Sequence, residues 1–351
     1  MTLTLTWEKG QSNSEAGEIF SGKNLALTNT GKKGYFYAWE RYHAGGSYLL
    51  GTIFNGYGNP LRFSFNLTEL LNGVLDQEVA VGSSPNGNLA IAWIRNGNDL
   101  FVSIYSLTGV PLVEYQAIPT GIHPSSPRIV ADANNNFYVV WVQDGTSQRD
   151  IFMAILNPSG EFVLPATPVT DIANTTEDYF SPTITNLRSG GAVIAYSVDT
   201  GLPGTPQLIA YNVIDMIGNI TQPEQRITYP GISARGKDMI QLTSGKVLIG
   251  WIDENTRHVH FTRLINDTTG WNADIDNIEE LSPAYQLGAI NISVTSDYLD
   301  HGIITWAEEK GNRTLSYALI DSSGAVLTPP MVFLRGTGVD TNAAGQGNAP
   351  Y

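Results

Sequence analysis

Carboxylates recur along this sequence just after apolar runs that end in an aromatic residue. They are Glu40, Asp99, Asp144, Asp199, the pair Asp253 and Glu254, and the pair Glu308 and Glu309. Gathered on one rim of a repeating fold, they would form a negative belt. Clustered carboxylates and carbonyls suit a hard cation such as calcium, although acids also sit in hairpin turns simply because turns are wet. The segment WNADIDN places Asn272, Asp274 and Asp276 at alternate positions, like the start of a calcium loop. Asn277 stands where such a loop wants glycine, and no bidentate glutamate follows at the right distance. His258 and His260 flank Val259 on a predicted strand, so both point to one face. Two neutral imidazoles there, with Asp253 or Glu254 nearby in sequence, could hold a metal, but no third histidine is placed to join them.

Other chemistry is thinner. No Gly-x-Ser-x-Gly elbow offers a serine nucleophile. A carboxylate pair for glycoside hydrolysis needs only to meet in space, and the sequence does not choose two from its many acids. Arg41, Arg95, Arg149, Arg235, Arg257 and Arg313 fall in or near the same turns. They could clamp a carboxylate ligand or balance the neighbouring acids. Trp271 and the tyrosines Tyr42, Tyr48, Tyr179 and Tyr285 lie outside the regular aromatic positions. The expectation is that Tyr42, Trp271, Tyr179 and Tyr285 offer faces for stacking on sugar rings or anchoring a protein partner.

The elements that must position these residues are a repeat. An apolar run ends in an aromatic six times, at Trp39, Trp93, Trp141, Tyr196, Trp251 and Trp306. After each copy comes a strand, a glycine turn and another strand, with the glycines at Gly58, Gly109, Gly160, Gly218, Gly270 and Gly324. Two landmarks keep step at a period of about fifty residues, enough for four short strands and their turns. Within one run Phe137, Val139 and Trp141 point one way and Tyr138 and Val140 the other, as in a strand covered on both faces. Only Leu67–Leu75 reads as a turn or two of helix.

These phrases resemble β-propeller repeat proteins over roughly residues 25–336, most of all propeller modules of bacterial secreted and surface proteins, as in SSPRIVADANNNFYVVWVQDG and ALIDSSGAVL. The Trp-Asp pair of one propeller class and the Asp-box of sialidases are absent. The resemblance implies an all-β, six-bladed propeller of four-stranded antiparallel blades, with ligands met on the rim or in the central channel. The repeats fall at about 25–75, 76–123, 124–178, 179–232, 233–285 and 286–336. Residues 1–24 would supply a closing strand or arm, and 337–351 a polar tail. Seven blades completed by the two ends is the alternative.

Composition narrows the partners. The formal net charge of −14 disfavours nucleic acid and anionic membrane surfaces. There are no cysteines, so disulfides and thiolate metal sites are excluded. No apolar run is long enough to span a bilayer, and the first residues show no signal-peptide pattern. Low charge and abundant Asn, Thr and Gly lean towards an extracellular, surface or virion setting. The functional expectation is a non-enzymatic module that binds carbohydrate or a protein. The alternatives are a structural component assembling through its terminal arms, and a propeller hydrolase of glycosidase or calcium-dependent lactonase type.

Overall fold

The computed structural model describes residues 22–30, 34–43, 45–145, 147–173, 176–202, 206–227, 233–281, 288–297, 299–308 and 313–336. The predicted arms at 1–24 and 337–351 therefore lie almost wholly outside the described residues. The described chain forms six antiparallel sheets, each built from consecutive strands. Blade 1 holds β1 (Gly22–Asn29), β2 (Gly34–His43), β3 (Gly46–Asn55) and β4 (Pro60–Asn66), and blade 2 holds β5 (Asp76–Ser83), β6 (Leu89–Arg95), β7 (Asp99–Tyr105) and β8 (Pro111–Ile118). Blade 3 holds β9 (Ile122–Ala131), β10 (Phe137–Asp144), β11 (Arg149–Leu156) and β12 (Phe162–Pro168). Blade 4 holds β13 (Asp178–Asn186), β14 (Ala192–Asp199), β15 (Leu208–Ile214) and β16 (Ile220–Ile227). Blade 5 holds β17 (Ala234–Gln241), β18 (Val247–Asp253), β19 (Val259–Asp267), β20 (Gly270–Ala273) and a short extra strand β21 (Glu279–Leu281), and blade 6 holds β22 (Ala289–Ser296), β23 (Gly302–Glu308), β24 (Arg313–Ile320) and β25 (Val326–Gly336). The first strands of successive blades pack side by side, which makes them the inner wall of a six-bladed β-propeller.

Both landmarks of the sequence are structural. The six aromatics occupy the second strand of each blade, and Trp93, Trp141, Tyr196, Trp251 and Trp306 are buried. Each of these five joins a core shared with the blade before it. Phe137, Val139 and Trp141 face blade 2, while Tyr138, Val140 and Val142 face blade 4, so one strand serves two cores. Three indole N–H groups are capped near the top of the blade: Trp93 by Asp76 at 3.1 Å, Trp141 by Gln143 at 3.3 Å and Trp306 by Glu308 at 2.9 Å.

The glycines mark the turn between third and fourth strands. There a polar side chain three residues earlier bonds the turn's own N–H groups, as Asn157 does to Ser159 and Glu161. Asn55, Asp215 and Asp321 repeat this pattern in other blades. Leu67–Leu75, expected to be helical, instead holds turns and ends in an isolated bridge between Leu75 and Ser47. Its leucines lack a shared face to bury: Leu67 is buried, while Leu70, Leu71 and Leu75 are exposed. Among the described residues no helix is long and apolar enough to cross a membrane.

Candidate functional site

The inner strands share one irregularity. Each carries a bulge near its start, between Lys23 and Ala26, Gln77 and Ala80, Ser125 and Arg128, Phe180 and Thr183, Arg235 and Lys237, and Ala289 and Asn291. In four blades the bulged residue lies in the left-handed region: Glu78 at φ 54°, Ser126 at 52°, Ser181 at 50° and Gly236 at 47°. Three of these are not glycine, and such backbone persists only where its surroundings hold it.

Just past the bulge, one residue per blade pairs with the residue before the aromatic. These are Ala26, Ala80, Arg128, Thr183, Asp238 and Ser293. The layer is thus small on one side of the ring and polar on the other. Asp238 is buried at 6% exposure. It accepts from Thr183 Oγ1 of blade 4 at 3.0 Å, and from Ser293 Oγ at 3.2 Å and the Val294 N–H at 2.9 Å, both of blade 6. Burial pushes its carboxyl above the usual range, against the pull of these donors and of Arg128. The Arg128 guanidinium feels both Asp238 and Glu78.

Glu78 is half-buried and accepts the Ser126 N–H of blade 3 at 2.5 Å, while Glu40 of blade 1 accepts the Glu78 N–H at 2.5 Å. Lys237, also buried, donates to the Ser181 carbonyl at 2.7 Å and to Ser197 Oγ at 2.8 Å. Inner strands have a free edge, and side chains of neighbouring blades cap it here. The result is a cluster of two acids and two bases, from blades 2, 3 and 5, at the bulged end of the axial channel. Such a setting holds two carboxyl groups near one cation, with Asp238 pushed up in proton affinity by burial, as a general acid needs.

The residues singled out from sequence lie elsewhere. Trp271 is not an exposed stacking face. It is buried at 7% in the core between blades 4 and 5, where its carbonyl accepts from Tyr211 and its N–H donates to Gln222. Tyr179 is likewise buried, edge-on to Tyr196 with centroids 5.7 Å apart, and donates to Glu177. In both cases the outer part of a blade packs on its neighbour and covers the ring. Tyr48 is buried too. Tyr42 is half-buried and donates to Glu40 at 2.7 Å, and burial with that bond pushes its phenol up to about 12. Tyr285 and Glu309 lie outside the described residues.

The acidic belt divides. Glu40, Asp253 and Glu308 are buried. Asp253 bonds the N–H groups of Asn255 and Thr256 in its own turn, and Glu308 caps Trp306 and Ser316. Asp144, Asp199 and Glu254 are half-buried, and Asp99 is exposed. Several arginines expected near the turns are bound to acids. Arg95 grips buried Asp76 bidentately at 2.7 and 2.9 Å, and Arg149 grips Asp178.

Neither metal candidate assembles a ligand set. Asn272 spends its amide on Thr269 and Gly270, Asp274 pairs with Arg263, and Asp276 is exposed in a single 3-10 turn. His258 Nδ1 lies 2.5 Å from Glu280, whereas His260 Nε2 is 4.0 Å from it. His260 is stacked on Trp251, and burial lowers its imidazole below the usual range. Among the described residues no group of three or more His, Asp or Glu is arranged to hold a metal ion.

Glu78, Arg128, Lys237 and Asp238 escaped the sequence reading, which looked to turns. Arg128 and Asp238 stand out only once the strands are aligned on their pairing, where the other blades carry Ala26, Ala80, Thr183 and Ser293.

No family model matches the sequence, and no curated protein matches it. Solved structures share the fold at low identity. A protein of unknown function from Dyadobacter fermentans is 11% identical, with a TM-score of 0.53 and coverage of 90% of this chain and 94% of that one. An α-L-arabinofuranosidase of Fusarium graminearum, solved with an iminosugar inhibitor, is 12% identical with a TM-score of 0.55 over 87% and 97% of the two chains. The polysaccharide lyase Uly1 is 11% identical with a TM-score of 0.54 over 96% and 86%. These likenesses establish a shared propeller. They also correct the expectation of a non-enzymatic binding module: similar propellers of stated activity include an arabinofuranosidase and a polysaccharide lyase, so the hydrolase alternative is the reading carried forward.

Proposed function

We propose that this propeller is a carbohydrate-active enzyme, a glycoside hydrolase working at the bulged end of its axial channel. The observation that carries the reading is the pair of inner-strand acids, Glu78 and Asp238, each hydrogen-bonded across to the inner strand of a neighbouring blade, with Arg128 of blade 3 in the same layer as Asp238. Asp238, buried and raised in proton affinity, is suited to protonate a departing glycosidic oxygen. Glu78, half-buried at the channel mouth, is the carboxylate that attacks or activates water. Arg128 keeps the charge between them balanced. The arabinofuranosidase likeness makes arabinan and aryl arabinofuranosides the first substrates to try.

The test is release of reducing sugar from arabinan and a panel of neutral polysaccharides. Asp238→Asn and Glu78→Gln should each cut kcat by about 100-fold or more, with melting temperatures followed to separate chemistry from folding. Asp144→Asn, at a half-buried turn, should behave as the wild type. Full activity in both channel variants, or no turnover on any substrate of the panel, refutes the assignment. Products with unsaturated, ultraviolet-absorbing ends would move the protein to lyase chemistry instead.

A further inference from the structure

Lys237 has an unusual setting. Its amine donates to one carbonyl and one hydroxyl, Ser181 O and Ser197 Oγ, and among the described residues no carboxylate pairs with it. The neighbouring acid Asp238 is turned to Thr183, Ser293 and Val294. The charge that Lys237 feels most is a like one, Arg128. An ammonium placed in a dry seam beside a guanidinium is poorly stabilised, whereas a neutral amine there keeps a lone pair. The residues beside it, one of them its own hydrogen-bond partner, reach solvent. Gly236 and Ser181, which flank it, are both exposed in left-handed backbone, and nothing lies within 4 Å of a Cβ built on Gly236.

We infer that Lys237 is a nucleophilic amine that condenses with small carbonyl compounds entering the channel mouth. Desolvation and an adjacent cation are two established ways of activating a lysine. The step balances without a further reactant. The Nζ lone pair adds to the carbonyl carbon, a proton passes from nitrogen to the carbonyl oxygen, and loss of water leaves an imine. Burial and Arg128 bring the amine down to about 7, so near neutrality a large share is unprotonated. An ordinary lysine at the same pH is free to about 0.04%. This inference does not depend on glycoside hydrolysis and stands or falls separately.

The intact protein is treated briefly at pH 7 with propionaldehyde and cyanoborohydride, which reduces any imine to a stable secondary amine. Peptide mass mapping then ranks the lysines. Lys237 should be alkylated at least ten-fold faster than Lys246, whose amine also donates to a carbonyl, Ser322 O. Its rate should climb through pH 7 and level off, whereas the rate of an ordinary lysine keeps rising towards pH 10. Labelling of Lys237 no faster than Lys246, or a rate that tracks an ordinary lysine, overturns the inference. Lys237→Met, checked for an unchanged melting profile at high pH, should remove only the fast adduct; a fast adduct surviving in it overturns the assignment to this residue.

Discussion

The second strand and the first strand of each blade obey different rules. Along the second strands, chemistry repeats: an aromatic closes an apolar run in all six blades, and five of the six rings are buried against the preceding blade. Along the first strands, geometry repeats while chemistry does not. A bulge recurs near the start of every first strand, yet the residue paired with the one before the aromatic runs Ala26, Ala80, Arg128, Thr183, Asp238, Ser293. The second strand is covered on both faces, so each copy answers to one packing constraint. The first strand has one edge on the channel, so its side chains are free to diverge once their polar groups find partners. Packing repeats from blade to blade, while the chemistry at the channel edge does not.

The sharpest way to break the comparison is to remove one repeated ring. Trp141 is fully buried and stacks on Phe152 at 6.0 Å. Trp141→Ala should cost about 3–5 kcal/mol, measured by urea denaturation. A loss below about 1 kcal/mol would mean that the aromatic landmark marks the turn and not the core.

The first strands predict an effect of another kind, one that depends on pH. Lys237 is lowered from 10.5 to about 7 in the folded protein. Between those values the unfolded chain holds a proton that the native chain lacks, so native stability rises with pH. Lys237 contributes a slope approaching about 1.4 kcal/mol per pH unit in mid-window. The contribution falls away as the pH drops back towards 7, and below it the buried amine must carry its charge. Lys237→Met has no such proton. The difference between the stability curves of wild type and variant should therefore tilt across this window and flatten below it. Parallel curves would show that the amine has a counter-charge and that the channel cluster is an ordinary salt-bridge network.

This contrast also explains what could be read in advance. Trp93, Trp141 and Trp251 stand out because six copies of one constraint add up to a pattern in a single chain. Phe137, Val139 and Trp141 separate from Tyr138 and Val140 by strand alternation alone, and the two cores follow. Asp238 and Arg128 carry no such pattern, since each occurs once at its register and becomes a site only when the ring brings blades 2, 3 and 5 together. Trp271 misled for a related reason. In sequence it follows a turn glycine and looks exposed, but the outer strand β20 packs on β16 of blade 4 and takes the ring inward. Glu40 and Glu308 were expected in wet turns, yet Glu40 lies inside β2, three residues before its end, Glu308 is the last residue of β23, and both side chains are buried.

The smallest effect tests whether the outer turns belong with the repeated packing or with the divergent edge. Gly58 and Gly160 occupy equivalent turns in blades 1 and 3, and both have φ +81°. Their surroundings differ. A Cβ on Gly160 would lie 2.7 Å from Val113 Cγ1 on the outer strand of blade 2, whereas nothing lies within 4 Å of one on Gly58. The turn of blade 2 shows the same latch, with a Cβ on Gly109 meeting Arg62 of blade 1 at 2.8 Å. Gly58→Ala isolates the left-handed backbone and should cost about 1 kcal/mol. Gly160→Ala adds a clash with a side chain that can shift only partly, for a further 1 kcal/mol or so, about 2 in all. Equal losses in urea melts would mean that Val113 simply moves aside. The turns would then be held by their own Asx hydrogen bonds, and the blade-to-blade grip would reside wholly in the second-strand rings.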